Sequence, residues 1–376
     1  MNITRHLYQS IQDQLDKGKV IVLLGPRQVG KTTMLKALIQ NSDSGHWLNA
    51  DEGDIKEAIE QAGTSTQLRN IIGKRTQLII IDEAQQIDGI GHKIKLLYDT
   101  YPDIQIILSG SSSLDLHNAL DEPLTGRKVE YHLFPLSQTE LTEHTSLIEE
   151  KRNLETRLIY GSYPEVINNP GREREVLLEL SNSYLYKDIL TFDGIKKSSF
   201  VQKLLIALAM QLGSEVRYHE LARTIGNIDP ATVEKYLDIL EKMFVIYQLP
   251  AFSRNLRNEL KKGKKYYFYD NGIRNILINN FHYLEFRQDK GALWENHLLI
   301  ERWKRNSYAQ RHVLRYFWRT HDQAEIDYIE EVDGTLHAFE FKWQKGKKRF
   351  PKSFLEAYPE HTTQVINRDN YLDFIT

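Results

Sequence analysis

Three short, almost wholly apolar runs stand out in the first third of the chain: Val20-Ile21-Val22-Leu23-Leu24, Leu78-Ile79-Ile80-Ile81 and Ile104-Gln105-Ile106-Ile107-Leu108. Runs of this length without polar alternation predict strands buried on both faces of a parallel sheet. A further strand is predicted at residues 46–49, with Asp51 and Glu52 just beyond it. Helical spacing fills the stretches between these runs, so residues 1–140 predict an alternating α/β domain.

Beyond Pro135 the pattern changes. Residues 141–197 read mostly helical, as a lid or connector, with a turn signal at Gly161-Ser162-Tyr163-Pro164. Residues 198–275 form a separate unit. Apolar residues recur at helical spacing over 200–212, and a short helix over 218–225 is ended by Gly226. Asp229 and Pro230 then cap and open a helix running to about Met243. Strands are predicted at 244–249 and 265–270. Three helices followed by a two-stranded wing predict a winged helix-turn-helix.

In residues 276–376 a helix over 293–302 precedes strands at 315–319 and 325–329, and the dipeptide Asp333-Gly334 signals a hairpin turn before a return strand over 337–343. No internal repeat or low-complexity linker interrupts the chain.

Composition narrows the class. Among 376 residues, 49 basic side chains face 51 acidic ones, a formal net charge of −2. Nothing global therefore draws the chain to nucleic acid, and such binding must rest on local patches. Cysteine is absent, which excludes disulfide scaffolds and cysteine metal sites and fits a reducing compartment. Residues 1–11 lack a basic-then-apolar leader. No apolar run approaches the roughly 20 residues of a membrane helix. The expectation is a soluble, cytoplasmic protein with no membrane partner.

Candidate chemistry begins after the first strand. Gly25-Pro26-Arg27-Gln28-Val29-Gly30-Lys31-Thr32-Thr33 lies between a strand and a helical stretch, the setting a phosphate-binding loop requires. Its glycines let backbone N–H groups close around phosphate oxygens, and the helix start adds partial positive charge. Lys31 would reach the β- and γ-phosphates of ATP, and Thr32 would hold Mg²⁺. Asp82 and Glu83 end the second apolar run. Asp82 is expected at the metal, and Glu83 is expected to orient or deprotonate the attacking water. Ser109 and Ser111, at the end of the third run, either touch the γ-phosphate or water, or form a polar exit from the strand.

A second constellation follows from counting. With Asp333 and Gly334 as the two turn residues, Val332 pairs with Thr335, and Asp327 lies opposite Glu340 with Lys342 on the same face. Ile326, Tyr328, Phe339 and Phe341 then point the other way, into a core. Two facing carboxylates repel unless a cation joins them, and Mg²⁺ prefers oxygen ligands. Glu295 on the preceding helix is a further candidate ligand. An amphipathic hairpin with its charged face in water shows the same alternation. DNA contact by the winged unit is similarly balanced. Arg254, Arg257, Lys261, Lys262, Lys264 and Lys265 can meet phosphates. The candidate recognition helix offers Thr232 and Lys235 but also Glu234, Asp238 and Glu241.

With these residues placed, the chain resembles the prokaryotic AAA-type P-loop ATPases, of an archaeal-ATPase-like clade, that carry a C-terminal domain of unknown function. The resemblance spans nearly the full length. It rests on the loop at 25–33 and Ile81-Asp82-Glu83-Ala84-Gln85, and on Leu108-Ser109-Gly110-Ser111-Ser112 and Leu124-Thr125-Gly126-Arg127. Phe134-Pro135-Leu136-Ser137, Gly161-Ser162-Tyr163-Pro164-Glu165 and Tyr186-Lys187-Asp188-Ile189 complete it. It implies ATP hydrolysis with Mg²⁺. It also points to Arg127 as a residue that reaches a neighbouring subunit's γ-phosphate, which would require a homo-oligomer; a salt bridge within the domain is the other reading. The C-terminal segment is similar to the restriction-endonuclease-like PD-(D/E)XK fold, with Glu295, Asp327, Glu340 and Lys342 at its site positions and Ile326 where a proline is usual. That implies Mg²⁺-dependent DNA cleavage coupled to nucleotide state. The alternative is an ATP-driven switch that binds DNA or protein without cutting.

Overall fold

The computed structural model describes residues 3–111, 120, 123–182, 198–253, 263–320, 322, 324–346 and 349–376. Ser112, the segment Tyr186-Lys187-Asp188-Ile189, and Arg254, Arg257, Lys261 and Lys262 of the expected basic wing lie outside the described residues. Two compact units emerge: residues 1–135 with 242–244, and residues 136–241 with 245–376.

The first unit is built on five parallel strands, β1 (Val20–Leu24), β2 (Gly45–Asn49), β3 (Leu78–Asp82), β4 (Gln105–Gly110) and β5 (Lys128–His132). Their order across the sheet is β2-β3-β4-β1-β5. Every residue of β1, β3 and β4 is buried. Each Val, Ile or Leu so placed contributes about 1.5–3 kcal/mol through apolar burial, which is why these runs carry no alternation. β4 lies between β1 and β3, so the carboxyl ends of all three strands open onto one edge. At such an edge open α/β sheets bind ligands.

The second unit opens with the helices Gln138–His144, Leu147–Tyr160, Pro164–Asn168 and Glu173–Leu180. The turn at Gly161 has a packing cause: a Cβ there would lie 1.9 Å from Oδ1 of Asp270. Asp270 is buried and accepts hydrogen bonds from the amides of Ser162, Gly272 and Ile273. The next elements run helix Ser198–Met210, β6 (Glu215–Val216), helices Tyr218–Ile225 and Pro230–Lys242, β7 (Ile246–Pro250) and β8 (Lys264–Phe268). These strands form an antiparallel sheet in the order β6-β8-β7.

The last region joins helix Lys290–Tyr308 to a four-stranded sheet, order β12-β11-β10-β9, of β9 (Leu314–Arg319), β10 (Glu325–Val332), β11 (Thr335–Phe341) and β12 (His361–Ile366). β12 runs parallel to β11 and the other pairs are antiparallel. The β10–β11 register follows the count from the turn, from Val332↔Thr335 to Tyr328↔Phe339. Asp333 and Gly334 both have positive φ, 49° and 82°, as a two-residue hairpin of this twist demands.

One expectation about faces fails. Tyr328, Phe339 and Phe341 share a face, the two phenylalanines packing on Phe374. Ile326 instead joins Trp318, Ile329, Ala338 and Phe354 on the opposite side. A bulge between Ile326 and Ile329, where the pairing with β9 slips by one residue, is the cause, since a one-residue slip exchanges the faces of a strand. Both faces of the hairpin are therefore covered, and neither is a solvent face. Among the described residues no helix is long and apolar enough to cross a membrane.

Candidate functional site

The loop after β1 is shaped by steric necessity. A Cβ at Gly25 would lie 2.1 Å from the carbonyl oxygen of Leu133, so only glycine fits there. Gly30 has φ of 97° and caps the helix Lys31–Gln40. Arg5, buried, donates to the carbonyls of Val29 (2.5 Å) and Phe134 (2.6 Å) and so ties the loop to the strand exit beside it. Nothing local in the sequence marks Arg5 for this work. Pro26, Arg27 and Gln28 form the turn, with Gln28 in the left-handed region at φ 60°.

Lys31 is buried and its ammonium donates to the carbonyls of Gly25 (2.8 Å) and Pro26 (2.9 Å). Burial lowers its pKa to about 8, against the opposing pull of Glu83 and Asp82. Phosphate oxygens in place of those carbonyls would return the charge to an ordinary environment.

The acids of β3 are held from both sides. Thr32 Oγ1 donates to Asp82 Oδ2 at 2.8 Å, and Ser109 donates to the other oxygen, Oδ1. A hydrogen-bonded chain thus runs from the helix after β1, through Asp82, to β4. Ser111 donates to Glu83 Oε2 at 2.9 Å, and Gln85 Nε2 donates to the same oxygen at 2.5 Å. Glu83 sits in left-handed backbone at φ 52°, a conformation non-glycine residues adopt at a cost of about 1–3 kcal/mol. Ser109 and Ser111 are placed on the two acids, as positioning groups. Asp51, just past β2, has its pKa raised by burial and then by Glu83 and Asp82, so a third acid borders the site. Neither Asp51 nor Gln85 was assigned a role from sequence.

Arg127 lies elsewhere. It directly precedes β5, whose first residue Lys128 pairs with Val20 at the start of β1. The loop leaves β1 at the far end, five residues on, about 16 Å along a strand. Arg127 pairs with Asp99 at 3.3 Å, both side chains exposed. It cannot serve the loop of its own chain.

In the second unit the carboxylates expected at a metal are gathered around a lysine. Lys265 of β8, 2% exposed, reaches Glu295 Oε1 at 3.4 Å and Glu325 Oε1 at 2.5 Å. Tyr267 donates a further hydrogen bond to Glu295. Burial alone would lower the Lys265 pKa, but Glu295, Glu325 and Asp327 together raise it above the ordinary value. Asp327 Oδ2 accepts from the amide of Phe341 at 2.8 Å, and Glu340, fully buried, pairs with Lys342 at 3.5 Å. Among the described residues no three acidic or histidine side chains converge to hold a metal ion. This corrects two expectations. Glu295, Asp327 and Glu340 do not form an Mg²⁺ cage, because Lys265 supplies the positive charge. Lys265 is likewise not a surface cation of a wing. The alternation Lys265, Tyr267, Tyr269 carried that signal, since it puts Lys265 on one face with buried tyrosines. The exposed side chains of the helix Pro230–Lys242 include Glu234, Lys235 and Asp238, a net acidic face.

Comparison with known proteins fits this division. Residues 17–142 match the family described as an AAA domain, residues 151–283 a domain of unknown function (DUF8612), and residues 290–373 another (DUF4143). An uncharacterized protein of Haemophilus influenzae is 26% identical over 323 residues, covering 78% of this chain and 75% of that protein. One from Mycobacterium tuberculosis is 26% identical over 333 residues, covering 87% and 71%. The Aeropyrum pernix ORC1 protein, solved in complex with DNA, aligns over 73% of this chain and 91% of its own, at 13% identity and a TM-score of 0.34. Residues 17–142 are an AAA-type P-loop, nucleotide-binding domain.

Proposed function

We propose that this chain is an Mg²⁺-dependent ATPase whose amino-terminal unit hydrolyses ATP and whose second unit answers the nucleotide state by engaging nucleic acid. The observation that carries the ATPase reading is the hydrogen-bonded chain Thr32–Asp82–Ser109 across β1, β3 and β4, with Lys31 buried in the loop beside it. Backbone N–H groups of residues 29–33 would cradle the phosphates. Lys31 would leave the Gly25 and Pro26 carbonyls for the β- and γ-phosphate oxygens. Thr32 and Asp82 would hold Mg²⁺, which when bound neutralises charge on the β- and γ-phosphates. Glu83, fixed by Ser111 and Gln85, would orient the attacking water and take its proton.

The nucleic-acid part rests on less. The order helix, strand, helix, helix, strand, strand over residues 198–268, with its antiparallel sheet, supports the winged-helix reading. The element order of residues 290–366 is compatible with an endonuclease-like fold. Strand cleavage does not enter the proposal, because Lys265 already neutralises the carboxylates that cleavage would need at a metal. Without that chemistry the second unit is a binding module.

The test is phosphate release from ATP by the purified chain. Release is expected to require Mg²⁺ and to be lost with Lys31→Ala together with nucleotide binding. Glu83→Gln should keep binding and slow turnover by about 10²–10⁴-fold, the usual contribution of a positioned base. Equal turnover by Glu83→Gln and native protein would remove Glu83 from the mechanism. No binding of ATP by the native chain would end the whole reading.

A further inference from the structure

We propose that a basic pocket at the carboxyl ends of β11 and β12 binds one nucleotide unit of a single-stranded nucleic acid, the base stacking on Arg368 and the phosphate held by Lys151 and Lys345. This deepens the nucleic-acid part of the proposed function and rests on it. The pocket, about 470 Å³, is bordered by Lys151, Trp343, Lys345, Arg368, Asp369 and Tyr371, among others.

Its position has a structural cause. β11 and β12 are parallel neighbours, and the amide of Lys342 still bonds to the carbonyl of Ile366 at 2.9 Å. The chains then separate, one as Trp343-Gln344-Lys345 and the other as Asn367-Arg368-Asp369. The carboxyl edge of parallel strands is the usual place for a ligand. Three cations meet one acid here. Asp369 pairs with Lys345 at 3.0 Å, but both side chains are exposed, 63% and 86%, so this pair adds little and yields readily to a phosphate.

The stacking platform is already assembled. The Arg368 guanidinium lies 4.6 Å from the centre of the Trp343 ring, and Trp343 is braced edge-on by buried Trp294 at 5.4 Å. Arg368 is exposed on its outer side. Unpaired bases stack on guanidinium planes and aromatic rings of this kind, whereas a duplex hides its base faces. Tyr371 adds an independent sign. It is 2% exposed, and its hydroxyl is buried without a hydrogen-bond partner among the described residues. A buried donor without an acceptor is costly, and an incoming phosphate or base oxygen would satisfy it. Arg349 and Lys352 follow Lys345 closely in the chain, so basic residues continue beyond one nucleotide, which favours a strand over a free nucleotide.

The probe is a fluorescein-labelled single-stranded oligonucleotide of mixed sequence, titrated with the full chain and followed by anisotropy. Arg368→Glu is expected to weaken binding at least tenfold. Tyr371→Phe should weaken it about threefold while leaving the melting temperature unchanged or higher, a split that a packing role would not give. Changing Lys151 and Lys345 together to Gln should lower the slope of log affinity against log salt by about 1.4, at about 0.7 for each single-strand phosphate that is no longer neutralised. Duplex of the same sequence and free AMP are expected to compete poorly. Competition by AMP as strong as by the strand would overturn the polynucleotide assignment. Oligonucleotide binding untouched by Arg368→Glu and Tyr371→Phe would overturn the pocket while leaving the nucleic-acid reading standing. No binding of any strand by the native chain would overturn both.

Discussion

Asp82 and Glu83 in the first unit, and Glu295, Glu325 and Asp327 in the second, are acids at the edges of β-sheets, and from sequence both groups look like metal ligands. What stands beside them differs. Asp82 and Glu83 accept hydrogen bonds from Thr32, Ser109, Ser111 and Gln85, all neutral. Glu295 and Glu325 accept from Lys265, an ammonium buried between them. Hydroxyls and amides orient carboxylates without cancelling their charge, so the full attraction for a divalent cation remains, and Thr32 can itself turn onto the ion. An ammonium cancels that charge and fills the space. Placing acids together is therefore only half of a metal site, and the charge of their partners decides the other half.

The largest test of this contrast removes the lysine. Lys265→Met leaves Glu295 and Glu325 close together without their cation, and losing one partner of such a buried group costs about 3–5 kcal/mol. Thermal or urea unfolding at pH 7 should show a loss of this order. Burial already raises the Glu295 pKa, and without Lys265 it rises further. A carboxylate with a raised folded pKa takes up protons on folding, so the deficit should shrink as pH falls through the carboxylate range and the charge disappears. Millimolar Mn²⁺ should restore the variant and leave the native chain unmoved. The contrast breaks if Asp82→Asn protein, stripped of the P-loop acid, still binds Mn²⁺ tightly through the second cluster.

How much of this was legible in the sequence follows from the range of the signals. The three apolar runs named β1, β3 and β4 because full burial on both faces is written locally. The P-loop was legible for the same reason, being contiguous and sterically demanding. Asp333-Gly334 set the hairpin register correctly as far as Tyr328↔Phe339. The bulge at 326–329 was not visible, since it depends on pairing with β9, and it moved Ile326 to the other face. The partners of the acids were missed because they come from far along the chain. Lys265 precedes Glu325 by 60 residues, and Arg5 meets Phe134 across 129. Charge neutralisation is a tertiary property, and a motif carries the acids without it.

A second test sharpens the P-loop side of the contrast through pH. Burial holds the Lys31 pKa near 8, below its ordinary value of about 10.4. A lysine depressed in this way opposes folding below pH 8, and stability regained from it rises with pH between those two values. A bound triphosphate reverses the preference and calls for the ammonium. Above pH 8, nucleotide binding should therefore take up a proton, and affinity should fall by up to about tenfold per pH unit. Calorimetry in buffers of different ionisation enthalpy measures the proton directly. An uptake of zero at pH 9 would mean that the ammonium is not what the phosphates recruit.

The smallest expected effect separates the two lysines of the second cluster. Lys342 also pairs with a buried acid, Glu340, but its own side chain is 40% exposed and the separation is 3.5 Å. Water screens an ion pair reached by solvent on one side, which limits its worth to about 1 kcal/mol or less. Lys342→Ala should therefore lower stability by no more than this, and the difference from native protein should narrow further at high salt. Urea unfolding at 50 mM and 500 mM NaCl, about 14 and 4 Å of Debye length, gives the comparison. A loss as large as that of Lys265→Met, independent of salt, would show that Glu340 depends on Lys342 as Glu295 depends on Lys265, and the second cluster would then have two built-in cations instead of one.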